Sequence, residues 1–315
     1  MAVKPLPVVR ACDIAREPPD ARWLVRDVWV REGVGIVGGQ PKLGKSWLGL
    51  DLAVSIASGT PCLGRFAVEQ TGPALVYLAE DALPDVRARL DALCAHRGLD
   101  LACLDLHVIT APVVRLDVEE HRAALHATME AYAPRLLVLD PLVRLHRLDE
   151  NSAAEISGLL GFLRELQRTW HVAIALVHHA SKKRHARAGQ ALRGSSDLHA
   201  FVDSLAYLAR SGDAMQLVLE HRSAPSPEPV PVRLVTEAPT HLEVVGGTAP
   251  EPPLTERVAR LLIDAEGPVQ RKDLREQLRV NNARLGEALT VLERDGRVTR
   301  GPAGWQRAPA QQRLV

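Results

Sequence analysis

Aromatic residues make up only 3% of this 315-residue chain, although its hydrophobic fraction is 46%. The core is therefore expected to consist mainly of leucine, valine and alanine. The sequence also lacks any apolar run of the ~18 residues that a membrane-spanning helix needs. Its start, Met1-Ala2-Val3-Lys4-Pro5, lacks the apolar core of a signal peptide.

Cysteines are few, and none are arranged in a C-x-x-C pattern. The four, at positions 12, 62, 94 and 103, predict reduced thiols rather than a disulfide framework or a zinc site. Reduced thiols and the lack of a membrane-spanning apolar run together predict a cytoplasmic protein. The net charge of +1 gives no argument for nucleic-acid binding by the chain as a whole, so any such argument depends on local basic patches.

Apolar stretches of strand length alternate with amphipathic helical stretches between about residues 34 and 235. Several predicted strands are apolar at consecutive positions, as expected for strands covered on both faces. The alternation predicts an α/β fold with a mostly parallel sheet, ending in antiparallel hairpins where helices no longer intervene. The predicted strands are residues 34–38, 74–79, 105–109, 135–140, 172–178, 204–209 and 215–220, and the predicted helices are residues 45–57, 83–96, 119–132, 153–169 and 195–202.

The last sixty residues follow a different pattern after a proline-rich stretch, which is typical of a linker. Three helices and a small hairpin are predicted there, the pattern of a winged helix-turn-helix. The helices are predicted at residues 254–265, 271–278 and 281–294. The predicted divisions of the chain are a large α/β domain at 1–246, a linker at 247–253, the winged helix-turn-helix at 254–307 and a tail at 308–315.

A phosphate-binding loop is predicted where the pattern G-x-x-x-x-G-K-[ST] lies between a predicted strand and a predicted helix. Its glycines let backbone N–H groups surround phosphates, and the following helix adds the positive end of its dipole. Lys45 is expected to contact the β- and γ-phosphates of ATP, and Ser46 to hold Mg²⁺. The alternative is a glycine turn with a surface lysine. The predicted nucleotide-binding residues are Gly39, Gln40, Pro41, Lys42, Leu43, Gly44, Lys45, Ser46 and Trp47.

An apolar predicted strand ending at Asp140 has the form of a Walker B strand, whose acid orders Mg²⁺ through water. The alternative is an ordinary capping aspartate. The next residue is Pro141 rather than an acid, so the catalytic base must come from elsewhere. Glu80 is the predicted base and Asp81 the second choice, unless Glu80 is only a solvated acid at a helix start. This assignment assumes that the strand 74–79 lies next to the strand of the phosphate loop.

The predicted strand 172–178 leads into a pair of histidines. A polar group at the tip of this strand can contact the γ-phosphate and report its loss. His179 is the favoured candidate, and the alternative is a surface histidine without such a role.

Several short motifs along the chain form a recognisable set. They are Arg22-Trp23-Leu24-Val25, Pro41-Lys42-Leu43-Gly44-Lys45-Ser46-Trp47-Leu48, Ala79-Glu80-Asp81, Leu139-Asp140-Pro141-Leu142, Asp149-Glu150-Asn151-Ser152, His178-His179-Ala180-Ser181-Lys182 and Leu192-Arg193-Gly194-Ser195-Ser196. Taken together, they resemble the RepA-type branch, AAA_25, of the RecA-like hexameric helicases.

The resemblance covers roughly residues 10–245, so the domain at 1–246 is expected to be a RecA-like P-loop ATPase domain. It implies a ring, usually a hexamer, with ATP at the subunit interfaces. It also implies an arginine finger from the neighbouring subunit, for which Arg222 is preferred over Arg193; a solvated strand-end charge is the alternative for Arg222.

Two basic regions predict contact with DNA. Residues 182–189 contain no acid, and in RecA-like rings the loop at this place points into the channel, where it would follow a single-stranded phosphate backbone. The C-terminal region carries twelve Lys or Arg against eight Asp or Glu, and its third helix could enter a major groove. The alternatives are a solvated loop and a winged helix that contacts protein. The predicted DNA-binding residues are Lys182, Lys183, Arg184, Arg187, Asn282, Arg284, Arg297 and Arg300.

The sequence therefore predicts an ATP-driven DNA motor, best described as a replicative helicase of a plasmid, phage or mobile element. The alternative is a RecA-like ATPase that does not unwind DNA, such as a recombination mediator or a DNA-binding regulator. A metabolic P-loop kinase is less well supported, because no motif for a phosphate acceptor is present.

Overall fold

The structure divides into two compact units, Met1–Thr248 and Ala249–Val315. All four cysteines are free thiols, as the sequence predicts. Over the part of the chain that the structure describes, no helix is both long enough and apolar enough to cross a membrane. The computed structural model describes residues 6–16, 18–150, 152–179, 196–211, 214–246, 254–265, 267–278, 280, 282–294, 296–302 and 304–308.

Strands and helices alternate along the larger unit, and each predicted one is present within two residues of its predicted ends. The strands are β1 (Trp23–Val25), β2 (Trp29–Val30), β3 (Val34–Gly39), β4 (Ala74–Leu78), β5 (Leu106–Val108), β6 (Leu136–Asp140), β7 (Ala173–His179), β8 (Ser204–Ser211), β9 (Ala214–His221), β10 (Val230–Val235) and β11 (His241–Val244). The helices are α1 (Lys45–Ser58), α2 (Leu83–Arg97), α3 (Glu119–Tyr132), α4 (Ala153–Trp170) and α5 (Ser196–Phe201).

One nine-stranded sheet, in the order β11-β10-β9-β8-β3-β7-β6-β4-β5, forms the centre of this unit. The strands from β8 to β5 are parallel, and β8 to β11 follow one another as antiparallel neighbours. The mostly parallel α/β sheet and its antiparallel end are therefore confirmed. Strands β10 and β11 were not predicted individually, because Pro231 in β10 and the turn-rich stretch before it obscure the strand pattern.

The sheet order corrects one prediction about the site. Strand β4 is not next to the phosphate-loop strand β3, since β7 and β6 stand between them. A helical crossover between parallel strands can pass over positions that are filled later, and strand spacing along the chain does not reveal this. Glu80 therefore approaches the loop from beside Asp140, not from the strand adjoining β3.

Apolar residues on alternate faces of the sheet explain the consecutive apolar positions. In β6, Leu136 and Val138 lie in the core shared with α1 and α2, whereas Leu137 and Leu139 lie in the core shared with α3 and α4. Both cores consist mainly of aliphatic side chains, as the scarcity of aromatic residues predicts. The carboxyl ends of the parallel strands thus meet at one edge of a covered sheet.

A buried ion pair fixes the helix that follows the phosphate loop. Arg97 in α2 pairs with Asp51 in α1, and their side chains are 8% and 2% exposed. The Arg97 guanidinium also donates to Ser55 Oγ at 2.9 Å and to Thr60 Oγ1 at 3.0 Å. Asp51 Oδ1 accepts from the Leu63 backbone N–H at 2.8 Å. Because these further hydrogen bonds supplement the ion pair, the cost of burying it is offset.

The smaller unit contains three helices and a hairpin among its described residues, in agreement with the predicted elements. Its core includes Val258, Leu274, Leu285, Leu289 and Trp305. Its identity as a winged helix-turn-helix stays a prediction. The elements are α6 (Leu254–Asp264), α7 (Arg271–Leu278), α8 (Asn282–Arg294) and the antiparallel strands β12 (Val298–Gly301) and β13 (Gly304–Arg307).

Candidate functional site

The predicted phosphate loop connects β3 directly to α1, at the carboxyl end of the sheet. Gly39 has a φ of +147°, and a Cβ there would lie 2.6 Å from the carbonyl oxygen of Leu208, so β8 leaves no space for a side chain. Gly44 has a φ of +86° and immediately precedes α1. Lys42 also adopts a positive φ, of 64°, which is uncommon for a residue with a side chain. The loop is therefore fixed in a conformation that its glycines permit.

Lys45, the first residue of α1, is buried, and its Nζ donates to the carbonyl oxygen of Gln40 at 2.8 Å. The ammonium group thus lies across the mouth of the loop. Burial lowers the pKa of Lys45, and the nearby charge of Asp140 opposes that shift. An anion placed in the loop would supply the charge partner that this buried cation favours.

Asp140 and Ser46 form the candidate metal site. Burial raises the pKa of Asp140 to about 6; a hydrogen bond with Ser46 opposes this shift, the charge of Asp81 adds to it, and Arg89 and Lys45 lower the pKa. Asp140 Oδ2 is buried and has no hydrogen-bond partner among the described residues.

These residues fit a magnesium ion. A hydroxyl and one carboxylate are the oxygen ligands that Mg²⁺ takes beside a nucleotide, the rest being water and phosphate. The described part of the chain holds no cluster of three or more His, Cys, Asp or Glu that could bind a metal by itself. An ion at this position would supply the partner that Asp140 Oδ2 lacks and would favour its ionised form.

The two candidate bases lie beside Asp140, because Leu78 of β4 pairs with Asp140 and the Ala79 N–H donates to its carbonyl oxygen at 2.7 Å. Asp81 accepts two hydrogen bonds from Arg89, each of 2.8 Å, and is committed to that pair. Glu80 accepts one, of 2.6 Å, from Arg144.

The environments of the two acids differ. The Glu80 and Arg144 side chains are 46% and 59% exposed, so their pairing is held weakly. The Arg89 guanidinium lies over the Trp47 ring at 5.9 Å and is only 25% exposed, which fixes Asp81 more firmly. Of the two acids, Glu80 is thus the less firmly held. Arg89 and Arg144 were not identified from the sequence, in which no motif singles them out.

His179 ends β7, in register with Gly39 of the phosphate loop. Its pKa is lowered, first by burial and then by the charges of Lys45 and His178, while Glu80 and Glu150 act in the opposite direction. His179 is therefore close enough to Lys45 and Glu80 to respond to both charges, and it favours the neutral form. The structure brings together Lys45, Ser46, Asp140, Glu80 and His179 at one edge of the sheet.

Arg222 lies at the opposite edge. Strand β9 runs antiparallel to β8, and the Arg222 N–H donates to the carbonyl oxygen of Asp203 at 3.1 Å. Leu208 of β8 pairs with Gly39 at the phosphate loop. Leu208 is five residues after Asp203, a separation of about 17 Å at ~3.3 Å per residue. Arg222 is thus remote from the phosphate loop of its own chain.

The end of β9, which Arg222 directly follows, contacts the segment that contains the motif Arg22-Trp23-Leu24-Val25. His221 Nε2 donates to the carbonyl oxygen of Asp27 at 3.1 Å, and the His221 ring meets the Trp23 ring edge-on at 4.8 Å. Arg22 donates to the carbonyl oxygen of Ser223. The motif that begins at Arg22 therefore has a structural role in positioning the end of β9.

Several predicted residues cannot be placed. Arg193 and the four basic residues predicted to contact DNA after β7, Lys182, Lys183, Arg184 and Arg187, lie outside the described residues, as does the side chain of Arg284. In the smaller unit Asn282 begins α8 and is exposed. Arg297 is exposed just before β12, and the Arg300 guanidinium lies 6.0 Å from the centre of the Trp305 ring.

A mostly parallel sheet with the phosphate loop after a central strand defines a RecA-like P-loop ATPase. Solved structures share this fold. A DnaB-like replicative helicase gives a TM-score of 0.53 at 14% identity, over 68% of this chain and 59% of that one. The RadB recombinase gives a TM-score of 0.50 at 18% identity, over 69% of this chain and 92% of that one.

The family follows from sequence comparison. A family model described as an AAA domain, AAA_25, matches residues 2–185, which is more than half of the chain. The chain belongs to this family. The DNA repair protein RadA of Synechocystis sp. (strain ATCC 27184 / PCC 6803 / Kazusa) is 23% identical over 176 residues, 55% of this chain and 32% of RadA. The chain thus spans about a third of the length of this curated relative.

Proposed function

We propose that this protein is an ATP-driven DNA motor, most simply a RepA-like replicative helicase that hydrolyses ATP at the interfaces of a ring. The observation that supports this proposal is the meeting of Lys45, Ser46, Asp140, Glu80 and His179 at one edge of a RecA-like sheet. Phosphoryl transfer to water requires a cation for the phosphates, oxygen ligands for the metal ion and a group that orients or deprotonates water. In this proposal Lys45 is the cation, Ser46 and Asp140 are the metal ligands, Glu80 is the base, and His179 is a polar group beside the γ-phosphate.

Each residue has a role in this proposal. The N–H groups of the loop and Lys45 hold the phosphates, and Ser46 and Asp140 hold Mg²⁺, which neutralises charge on the phosphates when bound. Glu80 takes a proton from the attacking water. His179 contacts the γ-phosphate and senses its loss. The remaining charge is met by Arg222 of a neighbouring subunit, because no subunit can bring its own Arg222 to its own loop.

The DNA part of the proposal depends on charge and on relatives. The basic residues that follow β7 in the sequence and those of the smaller unit would bind phosphate backbones, single-stranded in the channel and duplex at the winged helix. One of the structural neighbours is described as a DnaB-like replicative helicase. This similarity supports, at the level of the fold, a motor that acts on DNA.

A second candidate function is a RecA-like ATPase that remodels DNA–protein complexes without unwinding DNA. The similarity to a DNA repair protein, RadA, and to the RadB recombinase favours this alternative. The two candidates share every residue of the ATP site, so that site does not separate them.

A strand-displacement assay separates them. The purified chain, incubated with a forked DNA duplex and Mg²⁺, is expected to release the labelled strand with ATP but not with ADP. Single-stranded DNA is also expected to increase ATP turnover. ATP turnover without strand release, on both 5′- and 3′-tailed forks, would favour the non-unwinding alternative.

Glu80→Gln is expected to leave ATP binding within about two-fold and to lower turnover by about 10² or more, the loss expected when a general base is removed. The amide keeps the size of the side chain but cannot accept the proton from water. Turnover and ATP affinity are measured on the same preparation.

Asp81→Asn is the matched variant one residue away. Because Asp81 is held by Arg89, its change is expected to alter turnover much less than that of Glu80→Gln. If Asp81→Asn abolishes turnover while Glu80→Gln does not, the base is Asp81.

A further inference from the structure

Three titratable side chains form a buried cluster outside the phosphate site. Glu150 Oε1 lies 3.7 Å from His146 Nε2 and 3.8 Å from His178 Nδ1. The two histidine side chains are each 1% exposed and the carboxylate 8%. Among the residues of the site proposed above, none belongs to this cluster.

The cluster joins two segments that adjoin the candidate ATP site. His146 and Glu150 belong to the chain that follows Asp140, after the short helical turn Leu142–Arg144. His178 is the penultimate residue of β7, immediately before His179. Successive side chains of a strand point to opposite faces, so His178 faces the core under α4 while His179 faces the phosphate loop.

The orientation of His146 is fixed by the backbone. His146 Nδ1 accepts a hydrogen bond from the Leu148 N–H at 3.2 Å, so the proton of the neutral ring is on Nε2. Nε2 is the nitrogen that lies 3.7 Å from Glu150 Oε1, longer than a hydrogen bond. Burial lowers the pKa of His146; the charges of Glu150 and Asp117 oppose this shift and His178 adds to it. The cluster thus places the segment 146–150 against the end of β7.

Stability alone does not explain a polar cluster at this place. Buried charged groups can often be replaced by apolar side chains of similar volume with no loss of stability. What the polar cluster supplies is a close contact between two segments, because one carboxylate oxygen of Glu150 lies 3.7 Å from His146 and 3.8 Å from His178. One of the segments that it joins follows Asp140, and the other ends at His179. Both residues act on the same nucleotide in the proposed function.

We propose that Glu150 is a positioning residue which, through His146 and His178, fixes the end of β7 so that His179 meets the γ-phosphate of ATP. The proposal rests on the proposed ATPase function and deepens it. Glu150 does not touch the nucleotide; it sets where the sensing histidine stands relative to Lys45 and Glu80. ADP, which has no γ-phosphate, does not depend on this placement.

Glu150→Gln tests the proposal through the difference between ATP and ADP. We expect the ADP affinity to stay within about two-fold of wild type, the preference for a non-hydrolysable ATP analogue over ADP to be lost, and kcat to fall roughly 10- to 100-fold, as for groups that orient metal ligands. Glu165→Gln is the matched control, because Glu165 is an exposed acid on α4. It should leave all three quantities unchanged. Thermal unfolding followed by circular dichroism checks that the variants are folded.

A double-mutant cycle shows whether Glu150 acts through His179. If it does, Glu150→Gln combined with His179→Ala should have the same kcat as His179→Ala alone, because coupled residues are not additive. Additive losses, an equal loss of ADP and analogue binding, or a normal kcat in Glu150→Gln would each overturn the proposal. If Glu150→Gln does not fold, His178→Gln carries the same expectations.

The proposed function fails by a different result. If the wild-type chain shows no ATP turnover above Lys45→Ala, the ATPase function itself is wrong. If Lys45→Ala is inactive and Glu150→Gln is fully active, the function stands and the role of Glu150 is wrong.

Discussion

Lys45→Ala is expected to lower ATP turnover by at least ~10², the loss seen when a preorganised group that stabilises transition-state charge is removed, and to weaken ATP binding as well. Lys45 is buried in the mouth of the loop and donates to the Gln40 carbonyl oxygen at 2.8 Å. Its ammonium group is therefore already positioned to contact the β- and γ-phosphates of a nucleotide bound in the loop. Turnover is measured by phosphate release, and binding by titration with a fluorescent ATP analogue.

Lys272→Ala is the control for this experiment. Lys272 is an exposed lysine in α7 of the smaller unit. Its substitution removes the same charge as Lys45→Ala, but at a position far along the chain from the phosphate loop. It should leave turnover unchanged. Unchanged turnover in Lys45→Ala would contradict the whole assignment of the ATP site, not just the role of one residue.

Arg222→Ala is expected to bind ATP normally and to lose turnover by ~10³ to 10⁵, the contribution of an arginine finger. Charge that develops on the transferred phosphate needs a cation on the side that Lys45 does not reach. Because Arg222 lies at the far edge of its own sheet, the finger must act on another subunit. Turnover per subunit should therefore rise with protein concentration as rings form.

Mixing two inactive variants tests the same point without relying on a single loss. Arg222→Ala subunits contribute an intact phosphate loop, and Lys45→Ala subunits contribute an intact finger. Some interfaces in a mixed ring contain both, so turnover should reappear on mixing. Arg233→Ala is the control, because Arg233 is an exposed arginine on β10 that pairs with Glu243. It should behave as wild type alone and in mixtures.

Two results would count against this assembly. Normal turnover in Arg222→Ala, with no recovery in mixtures, would show that Arg222 is not the finger, and Arg193 would then be tested in the same way. Turnover that does not depend on concentration, from a strict monomer, would contradict the ring.

Much of the fold follows from local pattern. The consecutive apolar residues of β6 predict a strand covered on both faces, and the sheet and its two cores confirm this. The phosphate loop was predictable because its glycines and lysine must lie at fixed spacing between a strand and a helix. Elements whose pattern is local were therefore predicted within two residues of their ends.

What depends on distant pairing was not predictable from the sequence. Strand β4 was expected beside β3, but β7 and β6 intervene, because the order of parallel strands is set by crossovers that leave no local pattern. The partners of the candidate bases, Arg89 and Arg144, likewise come from separate elements. The motif Asp149-Glu150-Asn151-Ser152 was visible in the sequence, but the cluster with His178 depends on β7 lying beside β6.

The separation of Arg222 from the phosphate loop has a consequence for how defects combine. Under the proposed function, a Lys45→Ala subunit disables the site on its own face, whereas an Arg222→Ala subunit disables the site of the subunit next to it. When the two defects meet at one interface they remove a single site, but in the reverse order they remove two. The activity of a mixed ring would therefore depend on the sequence of subunits around it as well as on their numbers. Tandem-linked dimers of opposite order, each assembled with an excess of wild-type subunits, should differ in rate.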